Sequence, residues 1–221
     1  MGKLIVIEGL DGSGKSTQIE IIKNNLDDKK INYKQIKLPD YEDPSSTLVR
    51  MYLNGDFGTK PDDVNAFAAS SFYAVDRYAN FKRHWKDEYE KGYVILADRY
   101  TTSNCVHQCS KLPRQEWDDY IEWLYNYEFN QLGIPKPDLV IFLDMDPAIS
   151  QRLMSSRYNG DENKKDIHEK DTEYLAKCRE AAFYSAEKLG WKVVKCYDKD
   201  KALPIEEISE IIKGFTDEVL K

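Results

Sequence analysis

Three glycines, a lysine and a serine near the start of the chain have the types and spacing of a phosphate-binding loop. Gly9 is followed by four residues and then by Gly14, Lys15 and Ser16, which fits G-x-x-x-x-G-K-[ST]. Glycines let backbone N–H groups turn inward around phosphate oxygens, the lysine reaches the terminal phosphates, and the serine hydroxyl can ligate Mg²⁺. The sequence therefore predicts a P-loop for ATP or another nucleoside triphosphate, formed by Gly9, Leu10, Asp11, Gly12, Ser13, Gly14, Lys15, Ser16 and Thr17.

A second group of polar residues follows an apolar run at 93–97. Asp98 comes directly after this run, where a carboxylate can hold the Mg²⁺ shell, although an aspartate that caps a helix is also common there. The segment "DRYTTSNCVHQ" (98–108) adds Arg99, Ser103, Asn104 and Gln108. We expect these side chains at the same edge of the fold as the P-loop.

The elements that must position these residues alternate between strands and helices. Continuous apolar runs at 3–8, 93–97 and 138–143 indicate strands that are buried on both faces. Shorter runs at 33–38 and 191–196 predict two more strands, and helical patterns lie between the runs, the longest at 62–90. The predicted inward stripe of this longest pattern consists of Val64, Phe67, Ala68, Ser71, Phe72, Val75, Tyr78 and Trp85. This alternation predicts an α/β fold with a parallel sheet, whose ligands bind at the carboxyl ends of the strands.

Length and charge limit the function further. The chain has 221 residues and a net charge of −7, so we expect one domain over 1–221 that binds neither nucleic acid nor an acidic membrane surface in general. No apolar run approaches the ~20 residues that span a bilayer, and the N-terminus has no signal-peptide pattern. Four scattered cysteines are typical of thiols in a reducing compartment, which predicts a soluble, cytoplasmic protein.

Four segments together resemble the thymidylate kinases, a family of P-loop nucleoside monophosphate kinases. They are "IVIEGLDGSGKST" (5–17), "FYAVDRYA" (72–79), "ADRYTTSNCVHQ" (97–108) and "GIPKPDLVIFLDMDP" (133–147). The resemblance implies a P-loop kinase fold, in which helices flank a central five-stranded parallel sheet and a mobile lid covers roughly 152–171. It also implies transfer of the ATP γ-phosphoryl group to dTMP, giving dTDP and ADP with Mg²⁺ as the cofactor, in a homodimer.

The resemblance also implies roles for residues outside the P-loop. Asp11 would lie near the 3′-hydroxyl and phosphate of the acceptor, and Arg99 would clamp that phosphate. Tyr73 and Arg77 would hold the thymine; taken alone, a packed tyrosine and a solvated arginine are the more ordinary interpretation. The remaining acceptor residues would be Tyr41 in "PDYEDPSS" (39–46), Asn104, His107, Gln108 and His168. The metal residues would be Ser16, Asp98 and Glu169, the last in "DIHEKD" (166–171).

The chain departs from the family pattern at several positions. Many members carry an arginine in the acceptor loop, but none occurs here between Lys15 and Arg50. The stacking residue is a tyrosine instead of the common phenylalanine, and His107 occupies a position that is often tyrosine. Some members place a catalytic arginine within the P-loop, where this chain has Gly12 and Ser13. We therefore expect lid arginines, Arg152 and Arg157, to supply the missing cation, so that the catalytic residues are Lys15, Asp11, Arg99, Arg152 and Arg157.

The implied reaction needs no general base. A phosphomonoester has a second pKa near ~6, so the acceptor is already mostly dianionic at pH 7. Catalysis then reduces to holding two phosphates in line and neutralising the charge on the moving phosphoryl group.

Two other functions remain open from the residues. A kinase for another nucleoside monophosphate, or a deoxynucleoside kinase, would keep the phosphate loop and differ in the base pocket. A GTP-binding switch is a more remote alternative, since "NKKD" (163–166) fits a guanine-reading pattern but no predicted strand precedes it.

The P-loop interpretation predicts the effect of removing its lysine. We expect Lys15→Ala to fold normally and to lower phosphoryl transfer by at least ~10²-fold, because a preorganised cation at the developing charge is lost. Steady-state turnover together with a thermal melt measures both quantities. Near-normal turnover in the folded variant would refute the interpretation.

Overall fold

Five parallel strands form the centre of the fold. The computed structural model describes the backbone at residues 1–157 and 172–221 and the side chains at 1–153 and 173–221. Its main sheet has the order β2-β3-β1-β4-β5, and every neighbouring pair is parallel, which confirms the predicted sheet. The strands are β1 (Lys3–Glu8), β2 (Tyr33–Lys37), β3 (Val94–Asp98), β4 (Leu139–Asp144) and β5 (Lys192–Lys195).

Helices cover both faces of this sheet. Those described are α1 (Lys15–Asp28), α2 (Thr47–Asn54), α3 (Ala66–Asn80), α4 (Lys86–Glu90), α5 (Thr102–His107), α6 (Trp117–Tyr125), α7 (Pro147–Arg157), α8 (Thr172–Leu189) and α9 (Ile205–Val219). Turns of π-helix join α3 to α4 (Phe81–Trp85) and extend α6 (Asn126–Gln131). A short antiparallel hairpin, β6 (Tyr197–Asp198) and β7 (Lys201–Ala202), follows β5 and was not predicted from the sequence.

Alternate residues of each central strand enter two separate cores. Leu4 and Val6 of β1 pack with residues of α5, α6 and α8 on one face, whereas Ile5 and Ile7 pack with α1 and α9 on the other. All four side chains are fully buried. A parallel strand covered on both faces needs this continuous apolar run, which explains why β1, β3 and β4 were visible in the sequence.

The register of the sheet gathers the ends of three strands at one edge. Ile7 of β1 pairs with Asp98 of β3, and Lys37 of β2 pairs with Asp98 from the other side. The P-loop leaves β1 and the "DRY" segment leaves β3 at this edge, so the two predicted groups lie next to each other.

The orientation of α3 differs from the expected one. The sequence pattern placed Phe67, Val75 and Tyr78 on a buried stripe, but these side chains are 42%, 49% and 39% exposed. The buried face instead carries small and polar residues, among them Ser70 and Arg77. The prediction was wrong because polar groups on the inward face are paired with other side chains of the same chain and line a cavity. Hydropathy alone therefore does not identify the inward face of α3.

Two further observations concern cysteines and membranes. Cys105, Cys109, Cys178 and Cys196 are all buried and free of disulfides. Among the described residues, none of the helices combines the length and the apolar character needed to span a bilayer.

Candidate active site

The P-loop connects β1 to α1 through backbone shapes that need glycine. Gly14 precedes α1 with φ of 91°, in the left-handed region. At Gly9 a Cβ atom would lie 2.5 Å from the Ser13 hydroxyl, too close for any other residue. Lys15 is buried and its ammonium donates to the carbonyls of Gly9 (2.9 Å) and Leu10 (3.1 Å). The Lys15 ammonium is therefore bound by the carbonyl oxygens of its own loop. The phosphate oxygens of a triphosphate can take the place of these carbonyl oxygens as its hydrogen-bond acceptors.

Arg99 brings a second cation to the same place. Its backbone has φ of 68°, which is uncommon for a residue other than glycine and often marks a functional site. Its guanidinium donates to Asp11 Oδ1 at 2.7 Å and to Glu8 Oε1 at 3.3 Å. The side chain of Arg99 thus spans from the end of β3 to the P-loop.

Glu8 was not predicted as a site residue, yet it organises this group. The side chain is fully buried and accepts from the Gly9 N–H at 3.0 Å, besides its contact with Arg99. The hydroxyls of Thr102 and Ser103 donate to its other oxygen at 2.9 and 2.7 Å. The available signal was an acidic residue at the end of a buried apolar strand, since a buried charge must be paired.

Charge interactions perturb the protonation of these groups. Burial alone would raise the pKa of the Asp11 carboxyl, but the cations of Arg99 and Lys15 hold it well below its usual range. Burial and the nearby Arg99 charge lower the pKa of Lys15. Burial acts to lower the pKa of Arg99 as well, and the charges of Asp11, Glu8 and Asp98 outweigh it and raise that pKa. At neutral pH Asp11 is therefore a carboxylate and Arg99 a cation.

One cavity of about 340 Å³ joins the P-loop to the residues predicted for the acceptor. The predicted site residues that line it are Asp11, Gly12, Ser13, Gly14, Lys15, Ser16, Thr17, Tyr41, Tyr73, Arg77, Asp98, Arg99, Asn104, His107 and Gln108. Lys37, at the end of β2, also lines it and was missed, because an exposed lysine on an edge strand carries no distinctive pattern.

Three buried polar groups in the cavity wall have no hydrogen-bond partner among the described residues. They are the Ser13 hydroxyl, the Oδ1 atom of Asp98 and the amide of Gln108, both of whose polar atoms are unpaired. Leaving buried polar groups unpaired costs about 1–3 kcal/mol each, so such groups point to a ligand. The Asp98 carboxylate and the Ser16 hydroxyl supply the oxygen ligands that Mg²⁺ prefers, so these residues fit the predicted metal.

Arg77 lies deep in this cavity and not on a solvated face. It is 3% exposed and forms a two-point ion pair with the fully buried Glu128, at 2.6 and 2.5 Å. Tyr73, one turn earlier on α3, packs edge-on against Tyr52 with ring centroids 6.4 Å apart. The spacing of one helical turn thus places a ring and a guanidinium on the same wall of the cavity.

The acceptor loop at 39–46 is braced from two helices. Asp76 of α3 accepts from the Asp40 N–H (3.1 Å) and the Ser45 hydroxyl (2.6 Å). Arg50 of α2 donates to the Tyr41 carbonyl at 2.5 Å and to the Ser46 hydroxyl at 2.9 Å. The arginine that follows this loop in sequence therefore supports its backbone.

His107 contacts Arg99 and α8. The Arg99 Nη1 atom lies 3.4 Å from His107 Nε2, and the hydroxyl of Tyr174 donates to the His107 carbonyl at 2.9 Å. The two rings stack with their planes 28° apart. His107 therefore lies between the arginine and the first turns of α8.

The remaining predicted residues lie elsewhere or outside the description. Arg152 is exposed on α7 and donates to the Asp200 carbonyl at 2.5 Å; it does not line the cavity. The side chain of Arg157 and all of His168 and Glu169 lie outside the described residues.

Comparisons with known proteins agree on one family. The family model described as thymidylate kinase matches residues 7–208. A probable thymidylate kinase of Pyrobaculum aerophilum is 27% identical over 209 residues, which cover 95% of each chain. Probable thymidylate kinase 1 of Saccharolobus solfataricus is 28% identical over 216 residues, covering 96% of this chain and 98% of that one.

A solved structure extends the likeness to the whole fold. The thymidylate kinase of Candida albicans superposes with a TM-score of 0.72 at 26% identity, covering 100% of this chain and 94% of that chain. With the family model matching nearly the full length, and a P-loop and an arginine-lined cavity at the expected edge of the sheet, the chain belongs to the thymidylate kinase family.

Proposed function

We propose that this protein transfers the γ-phosphoryl group of ATP to dTMP, giving dTDP and ADP for the synthesis of DNA precursors. The observation that carries the proposal is the single cavity that has the P-loop at one end and Tyr73 with Arg77 at the other. A donor phosphate at Lys15 and a base at Tyr73 would place an acceptor phosphate between them, beside Arg99.

Arg99 is suited to hold the acceptor phosphate. A guanidinium binds phosphate oxygens through two parallel hydrogen bonds, and Glu8 and Asp11 already fix its position. Asp11 stays ionised and can accept from a sugar hydroxyl. Since the acceptor needs no base, the residues act by aligning the phosphates and by compensating the charge on the transferred group.

Mg²⁺ would be held by Ser16 and Asp98, with Glu169 added by the family resemblance. When bound, the ion neutralises charge on the β- and γ-phosphates. The unpaired Oδ1 atom of Asp98 supports this assignment, because it has an open acceptor in a buried position.

The base end of the cavity is suited to thymine. Tyr73 offers a ring for stacking, Arg77 offers a hydrogen-bond donor for a carbonyl oxygen, and Gln108 has an unpaired amide. Asn104 and His107 would lie along the sugar and the base. Cytosine carries an exocyclic amine where thymine has O4, so it would place a donor opposite the Arg77 donor.

Further features of the proposal rest on the family resemblance. They are one domain over 1–221, a homodimer, and a lid near 152–171, most of which lies outside the described residues. Its arginines, Arg152 and Arg157, would neutralise charge on the transferred phosphoryl group. The outward apolar side chains Val75 and Tyr78 on α3 support a dimer face. Four free thiols support a cytoplasmic location.

A kinase with a broader choice of acceptor is the second candidate. The thymidylate kinase of Candida albicans, whose structure superposes on this chain, is described as having broad substrate specificity. A GTP-binding switch has less support, since no predicted strand precedes its one distinguishing pattern, "NKKD" at 163–166. That segment lies outside the described residues.

A panel of acceptors tests the proposal. With ATP and Mg²⁺ we expect ADP release to be fastest with dTMP, slower with dUMP, and far slower with dCMP and purine monophosphates.

Arg77→Ala should lower the ratio of kcat/KM for dTMP to kcat/KM for dCMP by ~10-fold or more, because the opposed donor that disfavours cytosine costs about 1–3 kcal/mol. Arg179→Ala is a matched control, since this arginine pairs with Asp144 by two hydrogen bonds and does not line the cavity. Faster phosphorylation of CMP or of a purine monophosphate than of dTMP would refute the assignment.

The Glu8 interactions predict a second effect. Glu8→Gln removes the charge that holds Arg99, and hydrogen bonds to charged groups contribute about 1.5–3 kcal/mol. We expect kcat/KM for dTMP to fall by ~10- to 100-fold in a folded protein. The Asp144→Asn variant, which also removes a buried carboxylate charge, serves as the control. Equal kcat/KM values for Glu8→Gln and the parent protein would show that Arg99 does not depend on Glu8.

A further inference from the structure

Glu128 is a fully buried carboxylate whose partners come from two helices, α3 and α5, and from the turn that precedes α5. It lies on the π-helical turn after α6 and accepts from the Arg77 guanidinium of α3 and from the Thr101 hydroxyl, the latter at 2.6 Å. The Asn104 amide of α5 approaches its Oε1 atom at 3.5 Å. Two of these partners, Arg77 and Asn104, line the cavity, whereas Glu128 itself does not.

The ion pair determines which edge of Arg77 is available. Nε donates to Glu128 Oε2 and Nη2 donates to Glu128 Oε1, so one side of the guanidinium is fully occupied. Among the described residues, Nη1 has only a long contact with the Tyr100 carbonyl, at 3.5 Å. Nη1 is therefore the donor that Arg77 can offer to a molecule in the cavity.

Glu128 also determines the orientation of the Asn104 side-chain amide. The Nδ2 atom of Asn104 lies 3.4 Å from the Ser70 carbonyl and 3.5 Å from Glu128 Oε1. Both neighbours are acceptors, so the NH₂ group must point towards them and the Oδ1 atom must point away. Asn104 therefore offers an acceptor on its other side.

The buried carboxylate also compensates the charge of Arg77. A cation that is 3% exposed must be paired or it destabilises the fold strongly. Paired with Glu128, the guanidinium offers a directed N–H donor in a locally neutral group. Such a group favours a neutral carbonyl oxygen over an anion.

We propose that Glu128 is a positioning residue for acceptor selectivity, which orients Arg77 and Asn104 so that the cavity offers a donor beside an acceptor. This pair is complementary to a ring carbonyl next to a ring N–H, as in thymine and uracil. Cytosine presents an amine and an unprotonated ring nitrogen. It would therefore place a donor against the Arg77 donor and an acceptor against the Asn104 acceptor. The proposal rests on the proposed function and adds a residue that does not touch the substrate.

The test compares acceptor selectivity in Glu128→Gln with that in the parent protein. The carboxamide keeps the size of the side chain, but its NH₂ group faces the donors of Arg77 and Asn104. We expect the ratio of kcat/KM for dTMP to that for dCMP to fall by at least ~10-fold, mainly through a higher KM for dTMP. The KM for ATP should stay within about twofold, because the P-loop is not altered.

Two further variants separate positioning from simple structural support. Glu128→Asp keeps the charge and should restore part of the selectivity. In Arg77→Ala/Glu128→Gln the ratio should lie below that of Arg77→Ala by a smaller factor than Glu128→Gln causes in the parent protein, because only the effect through Asn104 remains once Arg77 is removed. Asp144→Asn, which breaks a similar two-point pair with Arg179 outside the cavity, should leave the ratio unchanged.

A folded Glu128→Gln protein that retains the parent dTMP-to-dCMP ratio would overturn the proposal, even if its melting temperature falls. If Glu128→Gln does not fold, Glu128→Asp decides: a lowered ratio supports the positioning role and an unchanged one overturns it. These outcomes differ from a failure of the proposed function, in which the parent protein itself would not phosphorylate dTMP.

Discussion

The ion-pair group around Arg99 is the constraint on which the rest of the site depends. Its guanidinium connects Glu8 at the end of β1 with Asp11 of the P-loop, and it comes from a residue with a left-handed backbone directly after β3. These contacts exist only because the parallel pairing of β1 and β3 ends both strands at one edge. The register of the sheet thus brings these residues together, and the ion pairs of Arg99 with Glu8 and Asp11 orient their side chains.

The second buried ion pair, between Arg77 and Glu128, has a different position and a different consequence. It lies away from the P-loop and is enclosed by α3, α5 and the turn after α6. A buried ion pair adds little stability compared with apolar packing, because both charges lose their hydration. Its position in the cavity wall is better explained by the donor that it presents to a ligand than by the stability of the fold.

Features with a local pattern could be predicted from the sequence. The buried strands β1, β3 and β4 are continuous apolar runs, and the P-loop glycines have fixed spacing. The arginine partners of Glu8 and Glu128 could not be predicted, since they are 91 and 51 residues away and a lone glutamate has no periodicity. The inward face of α3 was misjudged for a related reason: Arg77 is buried by its ion pair, and hydropathy counts it as exposed.

A crystal structure with dTMP and a non-hydrolysable ATP analogue would test the central claim most directly, namely that one cavity aligns both phosphates between Lys15 and the Tyr73 wall. The account predicts the triphosphate on the P-loop, the acceptor phosphate on Arg99, and a base carbonyl within hydrogen-bond distance of Arg77 Nη1. A base bound away from Tyr73, or an acceptor phosphate bound at Arg77, would contradict it.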